Sequence, residues 1–289
     1  MNARVALALV ALASLNTGCM WSSESGDITG RMVSEWERAK QSDEGSWQGE
    51  PIAVHNDMGG VHVVGVEGQT HIAIKARFLA GANSQEEAQP AFEDVAESMQ
   101  IELVGGVWQV RCTHASQPHG EVVPSTTGCE TMTVYVPAGA VDQPLDLSVF
   151  TDFGGASAEK VVVSRLSVRA PFGVMAEAEP VAGADIEVYN EDLVSGDCPA
   201  ELYLPPQWTA DEYLLEIQHA DLERSDRERL HIDTSAFPDL TFPAGSRGAS
   251  GSGAKRIHVR SSIGDVVLGT GPLPGVEGLS RCEKIELSP

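Results

Sequence analysis

The residues of this chain best suited to covalent chemistry are four cysteines, Cys112, Cys129, Cys198 and Cys282. In an oxidising compartment an even set of cysteines predicts disulfides, with three connectivities open to four thiols. Cys112 ends one strand-like segment and Cys129 opens the next, so a hairpin would bring them together and leave Cys198 to pair with Cys282. A zinc site is the alternative, but the chain has no Cys-x-x-Cys and its spacings match no zinc module. We therefore expect two disulfides and no metal.

A secretory signal peptide is predicted at the start of the chain. Arg4 is followed by an uninterrupted run of small and apolar residues from Val5 to Leu15, whereas a permanent membrane helix needs roughly 20 apolar residues. One positive charge, a short apolar region and small residues before a cleavage point are typical of a signal for export. We therefore expect residues 1–18 to be removed from the mature protein.

Cys19 lies outside the two predicted disulfides, and its position predicts a different modification. The Gly18-Cys19 pair resembles a bacterial lipobox, in which the thiol is acylated and the chain is cut in front of it. Leu15 and Asn16 depart from the usual order of that motif, so an ordinary cleaved signal is the alternative. Met20 after the cysteine, in place of Asp, favours the outer membrane. The sequence thus predicts a lipoprotein of the bacterial cell envelope, anchored by palmitate or a similar lipid on Cys19.

Histidines and acidic residues give little evidence for a catalytic centre. The sequence contains no Gly-x-Ser-x-Gly, Walker-type loop or His-Glu-x-x-His. We considered a pair of histidines binding a transition metal, a calcium site, and a carboxylate pair that cleaves polysaccharide. No calcium-loop spacing occurs, and scattered histidines and acidic residues are more often solvated surface groups. The residues considered are His55, His62, His71, His114, His119, Glu191, Asp192, Asp211, Glu212, Asp221 and Glu223. We predict no catalytic, cofactor-binding or metal-binding residue.

The charge of the chain argues against one class of partner. The 289 residues include 42 acidic and 19 basic side chains, which give a formal charge of −23. Such a polyanion repels nucleic acid and anionic lipid headgroups, and an acidic surface keeps an exported protein soluble. We therefore expect no nucleic-acid partner, and contact with the membrane through the lipid anchor.

Two regions follow the predicted signal. Residues 19–50 are rich in Ser, Glu and Gly and predict a flexible tether, with a short helix over Gly30–Gln41. In residues 51–289 apolar and polar residues alternate between Gly and Asn turns, which is typical of β-strands. One helix interrupts them, with Ser84 as N-cap, Glu87 three places on, and an apolar stripe made of Ala91, Phe92, Val95, Ala96 and Met99. We expect a single β domain with one inserted helix.

The second half of the chain contains a degenerate repeat in which an apolar strand precedes a polar or glycine turn. Its equivalent positions are Val149, Val168, Val188, Ile217 and Val259, separated by 19, 20, 29 and 42 residues. Steps of about 20 residues suit one coil of a β-solenoid, and longer steps suit coils with inserted loops. We predict that the five side chains form one buried row in stacked coils, with the following turns stacked along one outer edge. A β-sandwich is the alternative fold.

These features resemble a bacterial adhesin domain family of unknown function, described as an autotransporter-adhesin-head-like repeat. The resemblance rests on Val54–Gly65, the helix-bearing insertion before Ile101, Thr133–Gly139 and Ser261–Leu268. It implies a secreted or membrane-associated β-solenoid. Because these motifs are strand and glycine-turn patterns, the resemblance implies no functional residue. The four cysteines and the strong acidity are not part of the family pattern.

Two functions are compatible with the sequence. The first is a non-enzymatic, envelope-anchored binding, adhesion or structural module, in which stacked coils present a long flank to a protein or glycan. The second is a polysaccharide-active β-helix enzyme, suggested by the surplus of carboxylates. An enzyme needs a cleft where reactive groups converge, whereas a binding module has dispersed charges on a smooth wall. We favour the first, because the repeat brings no reactive groups together.

Overall fold

A computed structural model gives the fold of this protein. It describes residues 32–42, 46–118, 122, 126–191, 198–205, 212–219, 230–233, 235–236, 247–262 and 264–271. The predicted signal peptide and Cys19 lie outside these residues. Within the described ranges, no helix has the length and apolar character needed to cross a membrane.

The described chain is mainly β with one helix, as the sequence predicted. Its elements, in chain order, are β1 (Met32–Gln41), β2 (Ile52–Asn56), β3 (Gly60–Val66), β4 (Ala73–Gly81), α1 (Gln85–Ser98), β5 (Gln100–Val104), β6 (Val107–Cys112), β7 (Thr127–Pro137), β8 (Leu145–Thr151), β9 (Ala156–Ala170), β10 (Val174–Asn190), β11 (Ala200–Tyr203), β12 (Tyr213–His219), β13 (Leu230–Ile232), β14 (Arg247–Gly251), β15 (Lys255–Ser261) and β16 (Val266–Gly269).

The strands form one mixed sheet that folds around a single hydrophobic core. The sheet contains two series of hydrogen-bonded neighbouring strands, which we call arms. The first arm has the strand order β1-β4-β7-β3-β9-β10-β11-β16-β13, and the second has the order β5-β6-β2-β8-β9-β10-β15-β12-β14. The long strands β9 and β10 belong to both arms, because their first halves pair in the first arm and their second halves pair in the second.

Corresponding strands of the two arms form layers. Each layer consists of a second-arm strand, a corner, and the first-arm strand that follows it in the chain, as in β2–β3 and β8–β9. Neighbouring layers pair in parallel, and between Leu145 and Tyr203 the chain passes to the next layer at each bend. Chain order changes at the ends, where β6–β7 lies outside β2–β3, and β12–β13 lies outside β15–β16.

The five repeat positions form one buried row across the second arm, as predicted. In register order they are Val149, Val168, Val188, Val259 and Ile217. At most 2% of the surface of any of these residues is exposed. The row arises because every second side chain of a strand points to the same face. Full burial of such a side chain stabilises a fold by roughly 1.5–3 kcal/mol, so the row is a major source of stability in this arm.

A row of buried polar side chains supports the corners between the arms. Its members, each at most 1% exposed, are Asn56, Thr151, Asn190 and Ser261. The Asn56 Nδ2 atom donates to the carbonyl oxygens of Gly60 and Cys129, both at 3.1 Å. Thr151 Oγ1 donates to the carbonyl oxygen of Gly59 at 2.7 Å. Buried backbone groups that leave the strand ladder need other partners, and this row supplies them.

Glycine is required where the corners of adjacent layers touch. Gly154 has a φ of 149°, and a Cβ added to it would lie 2.4 Å from the carbonyl carbon of Gly59 in the next corner. The Phe-Gly pair at Phe153 recurs at Phe172, one layer on, and the two rings pack edge to face with centroids 4.9 Å apart. At these layers the turn residues stack along one edge, as predicted.

The Cys112–Cys129 disulfide is present, but the hairpin predicted to form it is wrong. Strand β6 pairs with β2 and β5, whereas β7 pairs with β3 and β4. The two strands instead belong to different arms of one layer. Cys112 in β6 lies opposite Asn56 in β2. The disulfide therefore supports the corner of its own layer, as the Asn56 side chain supports the corner of the next layer. Strands close in sequence do not pair here, because the corner sends them into different arms.

Strand β1 corrects the prediction for the segment before the β domain. The sequence favoured a flexible tether over residues 19–50 with a helix at Gly30–Gln41, but Met32–Gln41 pairs antiparallel with β4. Without β1, strand β4 would be the edge of the first arm, with backbone groups that lack hydrogen-bond partners. Pairing with β4 therefore decides the conformation of Met32–Gln41, and local composition does not. Trp47, also assigned to the tether, is buried, and its indole nitrogen donates to the carbonyl oxygen of Glu50 at 2.7 Å.

The inserted helix α1 agrees with its prediction. The Ser84 hydroxyl accepts a hydrogen bond from the backbone nitrogen of Glu87 at 3.2 Å, which is the expected N-cap. The buried face consists of Ala88, Ala91, Phe92 and Val95, and it packs against β4, β1 and β7. The helix therefore covers the outermost part of the first arm.

Candidate binding surface

The outward side chains of the second arm form ordered rows, because each strand alternates between core and solvent. The residue after each buried repeat position points outward. After Ile217 this residue is Gln218. After the four valines, and at the equivalent position of β2, the residues are His55, Phe150, Arg169, Tyr189 and Arg260 in register order. We call them the aromatic–arginine row. None of the five is buried, so the row forms part of the protein surface.

Side chains of the aromatic–arginine row contact one another from strand to strand. The rings of His55 and Phe150 stack with centroids 5.0 Å apart. The Arg169 guanidinium carbon lies 5.9 Å from the ring centre of Phe150 and 5.5 Å from that of Tyr189. The guanidinium carbon of Arg260 lies 4.4 Å from the Tyr189 ring centre. Exposed cation–π contacts stabilise by about 0.5–1 kcal/mol, so these contacts hold Arg169 between two rings and Arg260 against one.

Carboxylates pair with three arginines on this face. The ion pairs are Arg169–Glu191, Arg260–Glu187 with a nitrogen–oxygen distance of 3.3 Å, and Arg256–Asp185 at 2.9 Å. These side chains are partly exposed to water, so each pair contributes roughly 0–1 kcal/mol to stability. Their main consequence is geometric, since charges of both signs are spread over the surface in fixed positions.

A strip of small outward side chains runs beside the aromatic–arginine row, and we call this strip the trough. Its floor consists of Ala53, Ser148 and Ser167, which occupy equivalent outward positions in β2, β8 and β9. Side chains this small on three consecutive strands leave the surface low. On the far side of the trough lie Asp146 and Arg165, which are opposite each other in register. In β10 and β15 the floor positions carry the larger Glu187 and His258, which end the trough.

The charge of this outward face differs from that of the whole chain. From β6 to β12 in the second arm, the outward positions together with Glu191, which follows β10, carry five arginines and five carboxylates, namely Arg111, Arg165, Arg169, Arg256, Arg260, Asp146, Asp185, Glu187, Glu191 and Glu216. The chain as a whole has 42 acidic and 19 basic residues. Arg111 and Arg165 are exposed and form no ion pair within the described part of the chain. The face is therefore locally balanced in a strongly acidic protein.

His55, at one end of the row, lies between two carboxylates. Its Nε2 atom is 3.2 Å from Asp152 Oδ2, and its Nδ1 atom is 3.7 Å from Asp57 Oδ1. One ligand atom of each residue lies within 4.8 Å of the others, a spacing compatible with a divalent cation. The sequence did not reveal this group, because His55 and Asp152 are 97 residues apart and meet only through the stacking of layers.

A second histidine group lies on the first arm. The His62 Nδ1 atom hydrogen-bonds Ser157 Oγ and lies 3.9 Å from Glu159 Oε1. Both contacts involve the same ring nitrogen, whereas a catalytic triad uses one nitrogen for the nucleophile and the other for the carboxylate. Ser157 is also only 5% exposed. We interpret this group as a structural contact between adjacent layers.

Two ionisable groups of the first arm have shifted pKa values. Burial raises the pKa of Glu130, an effect that Arg77 opposes with its Nε atom 2.8 Å from the carboxylate. Burial also raises the pKa of Tyr203, whose hydroxyl donates to the carboxylate of Glu201. Strands β7 and β11, which carry these groups, lie outside the second arm. Neither group therefore contributes to the aromatic–arginine row.

The predicted site residues have different outcomes. The Cys112–Cys129 disulfide is confirmed, and Cys198 is also disulfide-bonded. Cys282, its predicted partner, lies outside the described residues, as do His119, Asp192, Asp211, Asp221 and Glu223. Among the acidic residues considered, Glu191 pairs with Arg169, and Glu212 lies 3.4 Å from Lys255. Lipidation of Cys19 stays a prediction.

The sequence contained a signal for the aromatic–arginine row. Phe150, Arg169, Tyr189 and Arg260 each directly follow one of the aligned valines, so the same alignment that predicted the buried row also aligns them. The repeat was defined by its inward residues only, so it did not predict the outward row. His55 is harder to find, because β2 joins the stack from a distant part of the chain.

Comparison with known proteins gives few matches. No family model matches this chain, and no curated protein is significantly similar to it. One solved structure, described as a putative cell adhesion protein from Clostridium sporogenes, is 12% identical. The match covers 80% of this chain and 97% of that chain, with a TM-score of 0.44. The resemblance to an adhesin domain family therefore stays a prediction from the sequence.

Proposed function

We propose that this protein is a non-enzymatic binding module, exported and held on the bacterial outer membrane by a lipid on Cys19. The observation that supports binding is the aromatic–arginine row with its adjacent trough, an ordered and exposed surface on the second arm. Anchoring is supported by the apolar run before Cys19 and the Gly18-Cys19 pair. A partner in the envelope, protein or glycan, would meet the outward face of the second arm.

The fold proposed for this module is a β-solenoid with rearranged ends. Val149, Val168 and Val188 lie in one row and are separated by about one coil each, and the strands that carry them pair in parallel. Parallel stacking favours a solenoid over a β-sandwich, whose sheets are typically antiparallel. The added antiparallel strands β1, β4, β5 and β14 lie at the ends of the arms, where they protect the stack from edge-to-edge association.

A polysaccharide-active enzyme is the second candidate. The observation that favours it is the position of His55 between Asp57 and Asp152, since a histidine beside a carboxylate can act as a general base. Against it, three carboxylates of the second arm are paired with arginines across the strands. We rank binding first because charges on this face are dispersed in rows.

Detergent partitioning tests the anchoring. Full-length protein expressed with its signal should enter the detergent phase with the membrane fraction, and Cys19→Ser should remain exported but move to the aqueous phase. Ser22→Ala, three residues on, is the matched control and should partition as the parent does. An unchanged distribution of Cys19→Ser would refute the lipid anchor.

A paired binding and cleavage assay tests the non-enzymatic role. Immobilised protein should retain material from an envelope extract, and Arg169→Ala combined with Arg260→Ala should retain less of it. The retained glycan should show no new reducing ends after prolonged incubation. Cleavage that disappears in His55→Ala would overturn this proposal and favour the enzyme.

A further inference from the structure

We infer that the trough binds an extended anionic polysaccharide, whose chain runs across the strands and whose carboxylates contact the arginines beside it. This inference rests on the proposed binding function and specifies its class of ligand. The arginines are Arg165 on one side of the trough and Arg169 on the other, with floor residues Ser148 and Ser167 between them.

Local charge favours an anionic ligand in spite of the acidity of the chain. Arg165 is exposed and has no carboxylate partner within the described part of the chain, and Arg169 lies directly across the trough. Interactions between exposed charges are largely screened beyond about 8 Å at physiological ionic strength. The carboxylates of Asp146 and Glu191 lie beside these arginines, so an anionic ligand would be held by direct contacts with the two guanidinium groups and not by a net positive charge.

The shape of the surface favours a repeating polymer. Strands are about 4.8 Å apart, so equivalent outward side chains recur at that interval along the trough. Ala53, Ser148 and Ser167 keep the floor low over three strands, and the two serine hydroxyls can donate to or accept from sugar hydroxyls. A chain of pyranose rings lying along this direction would meet one floor residue per strand.

The aromatic rings act mainly by holding the arginines in position. His55 and Arg169 lie on either side of the Phe150 ring, so the faces of that ring are not open for stacking against a sugar. Arg169 in turn lies between Phe150 and Tyr189 and pairs with Glu191. A guanidinium fixed in this way loses little conformational entropy when it binds a carboxylate, which favours affinity.

An acidic polypeptide is a less suitable occupant. Extended peptides usually bind a sheet by adding a strand at its edge, where main-chain groups are free. The arginines and the trough lie on the face of the arm, and β8 and β9 are paired on both sides. The floor is lined by two hydroxyls and one methyl group, which offer little apolar surface to peptide side chains.

Calorimetric titration with defined probes tests the inference. Full-length protein in detergent is titrated with oligogalacturonate, with a neutral galactose oligomer, and with poly-glutamate of similar length. We expect oligogalacturonate to bind best, and its affinity to fall as salt is added. Arg165→Gln combined with Arg169→Gln should weaken binding by about a hundredfold, since each lost charged hydrogen bond reduces affinity by about tenfold.

Two further variants separate a specific site from general charge. Ser148→Phe fills the trough without changing charge and should also weaken oligogalacturonate binding. Lys160→Gln removes an exposed cation outside the trough and should leave affinity unchanged. Circular dichroism melts confirm that each variant is folded. Equal loss with Lys160→Gln, or no loss with Ser148→Phe, would overturn the inference.

The remaining outcomes distinguish this inference from the proposed function. If poly-glutamate binds as tightly and responds to the same variants, the trough is a peptide site and the inference is wrong. If no probe binds, but envelope material is still retained through Arg169 and Arg260, the inference fails and the binding function stands. If oligogalacturonate is cleaved, the non-enzymatic function itself fails.

Discussion

The inward and outward rows of the second arm are built by the same strands but differ in how uniform they are. The inward row repeats Val149, Val168, Val188 and Val259 with little change. Its outward neighbours alternate between aromatic rings and arginines. Inward side chains of stacked layers must fill a close-packed core at a fixed spacing, which restricts their shape. Outward side chains need only be compatible with water and with their neighbours.

This difference separates stability from recognition at adjacent positions. A change to the inward row removes packing that every layer depends on. A change to the outward row alters charge and shape on the surface and has a smaller effect on folding. Variants that break one row and leave the other intact therefore test whether the two roles are separable.

A buried charge should produce the largest effect. Val168→Asp places an unpaired carboxylate in the core row and should cost several kcal/mol of unfolding free energy, enough to unfold a domain of ordinary stability. Ser148→Asp adds the same carboxylate to the exposed floor of the trough and is the matched control. Thermal and urea denaturation measure both. Equal sensitivity of the two positions would mean that the assignment of inward and outward faces is wrong.

The disulfide at the corner should have the next largest effect. Replacing Cys112 and Cys129 together by Ser removes a crosslink across 17 residues, which stabilises by about 3 kcal/mol in the chain-entropy model. We expect a lower melting temperature with unchanged far-ultraviolet circular dichroism. Complete reduction of the parent, carried out in denaturant because Cys112 and Cys129 are buried, should give a shift at least as large after refolding, since Cys198 is also disulfide-bonded.

The polar corner row should show a smaller loss. Asn190 accepts from the backbone nitrogen of Gly173 at 3.2 Å and donates to the carbonyl oxygen of Cys198. Asn190→Ala leaves both backbone groups unpaired in a buried corner, at a cost of about 1–3 kcal/mol for each group. Asn190→Asp keeps the acceptor and loses the donor, so it should separate the two contributions. Chemical denaturation of the three proteins gives the comparison.

Sequence alternation predicted most of the second arm because the period of a strand is a local property. The valine alignment therefore recovered the true register at every repeat position. The neighbours of β6 and β7 were not predictable in this way, because pairing partners are chosen by the stacking of distant segments. Strand β1 was mistaken for tether and helix for the same reason, since the edge of β4 decides its conformation.

The candidate surface was only partly within reach of the sequence. Phe150, Arg169, Tyr189 and Arg260 each follow an aligned valine and could be listed from the alignment, whereas His55 could not. The trough depends on the joint placement of Ala53 from β2 and Ser148 from β8, which requires knowing that β2 stacks against β8. The grouping of His55 with Asp152 depends on that same contact between layers.

Substitutions at outward positions of the second arm, in the trough floor or the aromatic–arginine row, should have the smallest effect on stability. Ser148→Ala should change the unfolding free energy by no more than about 0.5 kcal/mol, because replacing an exposed side chain removes few stabilising contacts. Arg169→Ser removes a partly exposed ion pair and two cation–π contacts, so it should cost about 1–2 kcal/mol, well below Val168→Asp.

A double-mutant cycle with Tyr189→Ala isolates the Arg169–Tyr189 contact, for which we expect a coupling of about 0.5–1 kcal/mol. A coupling near zero would mean that the row does not hold its arginines in place. The inward and outward rows would then still differ in their effect on folding, but the outward row would lose the rigidity on which our ligand inference depends.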